Sequence, residues 1–502
     1  MKRRDLIKLL ATGAVMPAAS QAMSGMGPMM MGGPGGMMGA RMHRTALTPV
    51  SGQPLPIPPL YEGDMKAGVR HYRLTIGEAE LPLFADAITE SWAVQVPGTA
   101  LPFLGPTLVL NRGEQVALSW RNHLDTATTM HGHGMHVPGE ADGGPHQLIL
   151  PGMDWTARYR VEQPACANWY HPHRMGMTAE HVYRGLAGLL LIRDGSEEAL
   201  NLPRTYGVDD IPLVVQDRVF DAAGQIHYRP TMHDVRRGWF GDVLLTNGAV
   251  SPVFTARAGL LRLRLLNGSN SEIWRFTLDD GSVMQVIAGD NGLIDRPMPV
   301  RSVMLSPGER AEVVLDLNGR AGQRLRLRVE GLIAGLRKDA LRIEVGKRPA
   351  PVSQLPSSLT APDPVPAPLA ELPRRHFTLG GMMNLTINGA SMDMDVINER
   401  VPQGRWEVWQ VRNEGMGMMR MMGMHHNFHV HGGSFRLLAR NGKAHFAPHE
   451  RGLKDTVHLA PGDEATLLVR FRHAAPDSSP FMYHCHFLEH EDAGMMGQFT
   501  VA

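Results

Sequence analysis

The sequence predicts an all-β protein made of three β-sandwich domains. Two short motifs recur three times in the same order, which indicates three copies of one folding unit. Most of the chain consists of short runs in which apolar and polar residues alternate, and Gly, Pro and Asn separate these runs. Long helical periodicity is scarce, and only Thr178–Arg184 is predicted to form a short helix. A chain of 502 residues is long enough for three such domains.

The first repeated motif is a Pro-Gly pair that precedes an alternating strand. It begins at Pro151, Pro307 and Pro461, at intervals of 156 and 154 residues. The second motif lies upstream of the first and consists of a Gly followed by a strand that ends in Asn. It occupies residues 113–122, 259–267 and 404–413. Because both markers keep their order and spacing, they define three units of roughly 150 residues.

These markers and the local composition predict the domain boundaries. The Pro-rich stretch 348–372 should be an extended linker at the surface. We predict domains at residues 45–200, 201–347 and 373–502.

The N-terminus has the pattern of a twin-arginine export signal over residues 1–22. Arg3-Arg4 precede a weakly apolar stretch, and Ser20-Gln21-Ala22 form a small-residue cleavage site. This interpretation places the mature protein in a bacterial periplasm, whereas the simpler alternative is a basic disordered tail. Residues 23–44 are rich in Met, Gly and Pro and are predicted to be disordered. Either a flexible linker or a copper-catching tail would have this composition.

Charge and cysteine content exclude several classes of protein. The net charge of +1 favours neither a nucleic acid nor an anionic membrane as partner. No segment is long and apolar enough for a membrane span, and we expect a monomer. Cys166 and Cys485 are the only cysteines, so the chain is not a disulfide scaffold. Cys166 is expected to be a buried structural thiol, and Cys485 a thiolate ligand.

Histidine pairs of the form His-x-His are the strongest chemical signal. On a strand, residues i and i+2 lie on the same face roughly 6–7 Å apart, so two imidazoles can bind one metal ion or two neighbouring ones. A single pair could be structural, but four pairs in matching places indicate a metal site. The first and third copies carry two pairs each, and the second copy has none and is expected to act as a spacer. We predict that the eight imidazoles meet between the first and third domains and bind copper, with zinc as the alternative. The pairs are His131/His133, His171/His173, His429/His431 and His484/His486.

The stretch Phe481–Met495 adds a second kind of metal site. Two imidazoles, one thiolate and a distant thioether form the ligand set of a blue-copper centre. Cys485, His490 and Met495 supply part of this set. If the segment is a strand, Cys485 faces away from both flanking histidines, so the two metal sites lie back to back. The remaining imidazole should come from the third copy, where His426 is best placed and spacing does not exclude His425.

At these residues the chain resembles the three-domain multicopper oxidases, from about Thr45 to its end. The motifs are His131-Gly-His133-Gly, His171-Pro-His173, His426-Asn-Phe-His429-Val-His431-Gly and His484-Cys-His486-Phe-Leu-Glu-His490-Glu-Asp-Ala-Gly-Met495. The resemblance implies that each domain has the cupredoxin-like Greek-key fold. It also implies four copper ions per chain. The type 1 ion would take His426, Cys485, His490 and axial Met495, and the type 2 ion His131 and His429. The type 3 pair would take His133, His171 and His486 on one ion, and His173, His431 and His484 on the other.

The resemblance implies an oxidase that couples four one-electron oxidations of a reductant to the reduction of O₂ to water. Asp142 and Glu491 match carboxylates that supply protons in this family, although either could be a solvated surface acid. The chain departs from the usual motifs at Gly132, where an aromatic residue is common, and at Asn427, where Pro is common. Both departures leave the packing around the ligands open.

The expected reductant is Cu(I), with copper tolerance in the periplasm as the role. Thioethers are soft ligands for Cu(I), and a Met-rich run directly precedes His426. The chain resembles the copper-efflux oxidases here, with Met422 where Asp is usual and with Asp393 or Asp395 as candidates for the missing carboxylate. A flexible core loop is the simpler interpretation. The candidate substrate-copper residues of the run are Met416, Met418, Met419, Met421, Met422 and Met424.

Several alternatives compete with this interpretation. A laccase could admit phenols through an open, Met-lined mouth. A periplasmic copper-sequestering or electron-transfer cupredoxin would not need eight further histidines. A copper-free scaffold would not need an intact ligand set, and a copper nitrite reductase has fewer domains and lacks the His-Cys-His pairing.

Overall fold

The computed structural model describes residues 47–361, 365–366, 368–380, 385–415 and 423–502. The predicted export signal, the Met-rich segment that follows it, and five candidate residues of the later Met-rich run (Met416, Met418, Met419, Met421 and Met422) lie outside the described residues. Three short helices occur in the described ranges, α1 (Thr178–Tyr183), α2 (Met232–Arg237) and α3 (Leu488–Asp492). The predicted helix at 178–184 is thereby confirmed. None of the described helices has the length and apolarity that a membrane crossing needs.

The first third of the described chain forms two sheets around one core. One sheet has the order β1-β5-β10-β9-β7, and the other the order β2-β3-β6-β8 with β4 paired to β3. Leu74, Leu108, Val116 and Leu190 come from strands of both sheets and are buried in the same cluster. The strands are β1 (Leu60–Tyr61), β2 (Asp64–Lys66), β3 (Val69–Leu81), β4 (Thr89–Gln95), β5 (Thr107–Asn111), β6 (Gln115–Asn122), β7 (His131–His133), β8 (Asp154–Arg160), β9 (Cys166–His171) and β10 (Gly188–Arg193).

The middle third has the same two-sheet plan. Its sheets have the orders β12-β11-β14-β19-β16-β17 and β13-β21-β20-β15-β18, and they also enclose one apolar cluster. The strands are β11 (Asp210–Arg218), β12 (Val243–Thr246), β13 (Val253–Ala258), β14 (Leu260–Asn267), β15 (Trp274–Leu278), β16 (Met284–Gly289), β17 (Gly292–Val300), β18 (Ser302–Leu305), β19 (Arg310–Asp316), β20 (Arg324–Gly331) and β21 (Arg337–Pro349).

The last third repeats the plan again, with the orders β23-β22-β25-β30-β27-β28 and β24-β32-β31-β26-β29. The predicted all-β architecture of sandwiches is therefore confirmed. The strands are β22 (Arg374–Gly380), β23 (Thr386–Ile387), β24 (Glu399–Val401), β25 (Glu407–Asn413), β26 (His426–Val430), β27 (Phe435–Arg440), β28 (Leu453–Lys454), β29 (Thr456–Leu459), β30 (Glu464–Val469), β31 (Phe481–His484) and β32 (Met496–Val501).

The three asparagines of the second sequence motif make the same contacts in each sandwich. Asn122, Asn267 and Asn413 each end a strand and accept, at the side-chain oxygen, the N–H of the residue two positions later. Each also donates from its side-chain nitrogen to two backbone carbonyls. Its own carbonyl accepts the N–H of the Pro-Gly glycine of the first motif. The two markers therefore recur because together they close the same corner of each sandwich.

The Pro-rich segment that follows the middle sandwich is only partly a surface linker. β21 continues to Pro349, which is beyond the predicted start of the linker at 348. Val352 and Leu359 are buried in the core cluster of the middle sandwich. Apolar side chains within a proline-rich run can still bury their surface, and composition alone did not reveal this.

Candidate metal centre

The His-x-His pairs lie at the ends of strands. Only the pair of β7 lies wholly within a strand, because β9 ends at His171, β26 ends at Val430 and β31 ends at His484. The same-face geometry considered for a pair on a strand therefore applies to His131/His133, whereas the other three pairs extend past a strand end. After β9 the reason is Pro172, which has no N–H to continue the ladder.

Strand register brings histidines from different segments together. His131 pairs directly with His171, and His429 with His484. The eight imidazoles converge in buried groups whose ligand atoms lie within 4.8 Å of one another. The groups are His131/His133/His429, His133/His171/His486 and His173/His431/His484.

Hydrogen bonds to backbone carbonyls fix the tautomers of four of these imidazoles. His131 donates its Nδ1–H to Asp142 O at 2.8 Å, and His429 donates its Nδ1–H to Asp455 O at 2.9 Å. His171 and His484 donate in the same way to Pro172 O and Cys485 O. A carbonyl can only accept, so each of these rings is left with a bare lone pair on Nε2.

The bare nitrogens face one another. His484 Nε2 lies 3.1 Å from His173 Nε2 and 3.2 Å from His431 Nε2. His133 donates its Nε2–H to Asp455 Oδ1 at 2.9 Å, so its Nδ1 is bare as well and lies 3.4 Å from His171 Nε2. Lone pairs that converge in a buried space repel unless a cation lies between them, so the arrangement fits metal ions.

Two further observations agree with this fit. His131 Nε2 and His429 Nε2 are buried and have no hydrogen-bond partner. Burial lowers the pKa of His133, His171 and His484 well below its usual value, so the rings are neutral and able to bind a metal at neutral pH. The donor set of neutral imidazoles suits copper.

A second buried group contains the thiol. Cys485 Sγ lies 3.6 Å from His426 Nδ1 and 3.6 Å from His490 Nδ1, and these two nitrogens are 3.2 Å apart. Met495 is fully buried in the same apolar cluster. His425 lies apart from this group and shares a hydrogen bond with His458. The structure therefore brings His426 to the thiol, and His425 is not part of this group.

Conversion of the Cys485 thiol to a thiolate requires a cation. Burial raises the pKa of Cys485 to about 12, so the protein alone would keep a neutral thiol. A bound metal ion deprotonates such a group outright.

Both cysteines are free and buried, and Cys166 accepts a long contact from Gln163 Nε2.

The two candidate proton donors are buried and do not lie at the surface. Asp142 Oδ2 accepts from His431 Nδ1 at 2.7 Å, whereas Asp142 Oδ1 has no hydrogen-bond partner. Glu491 Oε2 lies 3.2 Å from His484 Nδ1. Burial raises the pKa of Asp142 well above its usual value and also raises that of Glu491.

Asp455, which contacts two of the histidines, was not identified as a site residue from the sequence. It accepts from His133 Nε2 and from both terminal nitrogens of Arg310, at 2.8 and 2.6 Å. Burial alone would raise the pKa of Asp455, but the Arg310 guanidinium outweighs burial and holds that pKa well below its usual value. The three sandwiches each contribute to these contacts, so no local pattern in the sequence could have predicted them.

The middle sandwich is more than the predicted spacer. Its Pro307-Gly308 turn lies against the histidines, and a Cβ added at Gly308 would be 3.1 Å from both His133 Cε1 and His486 Nδ1. Asn427 donates to Pro307 O at 2.8 Å and accepts the N–H of His486 at 2.5 Å. The turn of the middle copy therefore forms a wall of the histidine cluster without supplying a ligand.

The structure accounts for Gly132, the second departure from the usual motifs. It also shows where the remaining candidate residues lie. A Cβ at Gly132 would lie 2.9 Å from Met135 Cγ, so Met135 occupies the space of the usual aromatic residue. Asp393 and Asp395 are exposed, and the N–H of Met392, which precedes them, donates to Gly494 O, next to Met495. Met424 is half-buried against the core around the thiol.

Comparisons with known proteins agree with this geometry. Two family models described as multicopper oxidase match residues 87–197 and 366–502. Multicopper oxidase mco of Staphylococcus haemolyticus is 36% identical over 79% of this chain and 82% of that protein. Cell division protein FtsP of Sodalis glossinidius is 35% identical over 91% of this chain and 93% of that protein.

Solved structures give the same result. The laccase-like multicopper oxidase CueO from Ochrobactrum sp. is 38% identical, with a TM-score of 0.81, and the match covers 89% of this chain and 100% of that one. A multicopper oxidase from Pediococcus acidilactici is 32% identical, with a TM-score of 0.82, over 93% of this chain and 94% of that one. The predicted cupredoxin-like sandwiches are thereby confirmed. The chain belongs to the multicopper oxidases, which are oxidoreductases that carry four copper ions per chain and use O₂ as electron acceptor.

Proposed function

We propose specific residues for each of the family's copper ions. Bare imidazole nitrogens that converge in a closed space are the observation that carries this assignment. A type 1 ion would take His426, Cys485, His490 and Met495, and a type 2 ion His131 and His429. A type 3 pair would take His133, His171 and His486 on one ion and His173, His431 and His484 on the other.

Copper held there would supply one-electron redox chemistry between a reductant and O₂. The chain's own contribution is a short covalent path, since Cys485 belongs to one group and its neighbours His484 and His486 belong to the other. Asn427 accepts the His486 N–H and fixes that path in place. Asp142 and Glu491 are proposed as proton donors, because buried carboxyls hold their protons at higher pH than exposed ones.

Cu(I) is the proposed reductant, and copper tolerance in a bacterial periplasm is the proposed role. The support is the Met-rich run before His426, whose last member Met424 packs against the core around Cys485. Met392 donates its N–H to Gly494 O beside Met495, which brings Asp393 and Asp395 towards the same end of the sandwich. Export by the twin-arginine signal, a monomeric state, and domains at 45–200, 201–347 and 373–502 are parts of the same proposal.

The test compares Cu(I) with a bulky phenol as reductant. Replacing Met418, Met419, Met421, Met422 and Met424 with Ser should raise the KM for Cu(I) and leave activity on the phenol unchanged or improved. A matched control replaces three exposed methionines elsewhere, Met65, Met153 and Met232, with Ser. Unchanged Cu(I) kinetics in the first variant would remove the cuprous-oxidase proposal.

A laccase acting on phenols is the second candidate. The CueO of Ochrobactrum sp., which is laccase-like and acts on lignin model compounds, favours it through its 38% identity. A role in cell division, as the name of the FtsP relatives suggests, is a third candidate. Normal Cu(I) tolerance but defective division in a deletion strain would favour that role.

A further inference from the structure

We propose that His425 and His458 bind a fifth copper ion, as Cu(I), between their imidazole rings. Both residues belong to the third sandwich, and the Nδ1 atom of His425 lies 3.0 Å from the Nε2 atom of His458. The ring planes are inclined by 14°, and the ring centroids are 5.2 Å apart. The centroid separation exceeds the nitrogen separation by about twice the radius of an imidazole ring, so the two nitrogens point at each other almost head-on.

Strand register separates this pair from the group that contains the thiol. In the ladder between β26 and β29, Asn427 pairs with His458. Directly paired residues share a face and successive residues alternate, so His458 lies on the face opposite to His426. His425 contacts His458 and so continues the alternation one residue before β26 begins. His426 instead points to Cys485, so an ion held by the pair would be separate from the one proposed at the thiol.

The spacing of the two nitrogens matches that in the groups proposed for the family's own copper ions. His173 Nε2 and His484 Nε2, for example, are 3.1 Å apart. Without a metal, one ring of the pair donates its proton to the other. Copper can take the place of that proton once the donor ring carries it on its other nitrogen, so the rings need not lose a proton to bind the ion. His425 is half-buried, so an ion can reach the pair from solution.

The electrostatic surroundings of His458 favour a monovalent ion. Burial lowers the pKa of His458 to about 4, so the ring is neutral and offers a lone pair at neutral pH. The charged groups that act on it are themselves paired. Glu309 lies 3.1 Å from Lys454, and Asp463 lies 3.6 Å from Arg440. Neutral ligands in balanced surroundings suit one positive charge better than two, because the second charge would be buried without compensation.

The number of ligands also favours Cu(I). In the described ranges, neither ring of the pair joins two further His, Cys, Asp or Glu side chains in a group of metal-binding size. Zn²⁺ at structural sites almost always takes four ligands, and Cu(II) prefers a tetragonal set. Cu(I) has a filled d shell and is stable between two nitrogens that face each other. The pair includes none of the Met and Asp residues proposed for substrate copper, so the site does not depend on which reductant the enzyme oxidises.

Equilibrium dialysis of the copper-loaded, full-length protein against Ag⁺ tests the proposal. Ag⁺ has the charge and the filled d shell of Cu(I), gives no electron to the resident copper, and is counted separately from it by elemental analysis. His425→Gln and His458→Gln should each bind one Ag⁺ fewer than the wild type, because a side-chain amide is a poor ligand for a soft ion. An excess of Zn²⁺ should not displace that Ag⁺. His376→Gln removes an exposed imidazole from the same sandwich and should leave the Ag⁺ count unchanged.

Equal Ag⁺ binding by the wild type and His458→Gln would show that the two rings share only a proton, and would overturn the proposal. A loss in His425→Gln alone would refute the pair as the ligand set, and displacement by Zn²⁺ would refute the choice of Cu(I). X-ray absorption at the silver edge of the wild type needs no variant. It should show nitrogen neighbours around the bound Ag⁺, and sulfur neighbours alone would contradict the site.

Discussion

Replacing Arg310 with Met should destabilise the protein more than the loss of an exposed ion pair would. The Arg310 side chain is 1% exposed and its partner Asp455 is 0% exposed. Methionine fills the volume of the aliphatic stem but removes all the donors. The acceptors left behind are Ala167 O, Asn168 Oδ1, Asp290 O, Gly308 O and both carboxylate oxygens of Asp455.

The magnitude follows from the charge that stays buried. Removing one partner of a buried ion pair costs about 3–5 kcal/mol, because the other charge remains without compensation. Asp455 keeps hydrogen bonds from His133, Asn291 and Thr456, which offset part of the loss. We therefore expect the free energy of unfolding in urea to fall by about 3 kcal/mol. The metal-free protein is the right sample, since bound copper would add its own stabilisation.

The pH dependence gives a second, independent measurement. The folded-state pKa of Asp455 lies well below its unfolded value of about 3.9, so its contribution is present above that value and is lost as pH falls through the folded-state pKa. The difference between wild type and Arg310→Met should be largest near neutral pH and shrink in acid.

Arg400→Met is the matched control. Arg400 also binds both oxygens of an aspartate, Asp477, but the side chains are 66% and 64% exposed. The decrease in the free energy of unfolding of Arg400→Met should fall within the error of the measurement. If Arg310→Met were no more destabilised than Arg400→Met, burial of the Arg310–Asp455 pair would not contribute to stability as we argue.

Three further predictions concern the metal groups. Cys485→Ser should abolish the blue absorption band and oxidase activity while copper analysis still finds ions at the histidine cluster, and a blue, active variant would contradict the assignment. Asp142→Asn should slow O₂ consumption while stopped-flow bleaching of the blue band by the reductant stays fast, because it removes a buried proton donor, and two unchanged rates would exclude this role. Gly308→Ala should reduce copper content because its Cβ would press on His133 and His486, whereas Gly319→Ala, at a similar positive φ but with open space around it, should not.

The sequence predicted the parts of the fold that local chemistry determines. Asn122, Asn267 and Asn413 could be recognised as repeats because each forms the same corner with residues close to it in the chain. The histidine pairs and Cys485 could be recognised because few other functions require those residue types together. The ends of β9, β26 and β31 could not be predicted well, because tertiary packing sets strand ends.

Long-range contacts account for what the sequence did not show. Asp455 lies 145 positions from Arg310 in the chain and more than 300 from His133. Nothing near Asp455 distinguishes it from a surface acid, and only the assembled sandwiches bury it. The same holds for Asp142 and Glu491, for which a surface position was open and which the structure buries.

The middle sandwich shows why an absence of ligands is a poor guide to function. Its turn lacks the histidines of its two counterparts, and the sequence alone suggested a spacer. Yet a Cβ added at Gly308 would contact two histidines of the cluster, and Arg310, two residues later, balances the charge of the aspartate that orients His133. A longer side chain at Gly308 would enter the cluster, and a neutral residue at Arg310 would leave Asp455 uncompensated. The middle copy therefore acts on the metal groups through shape and charge, while the outer two supply every candidate ligand.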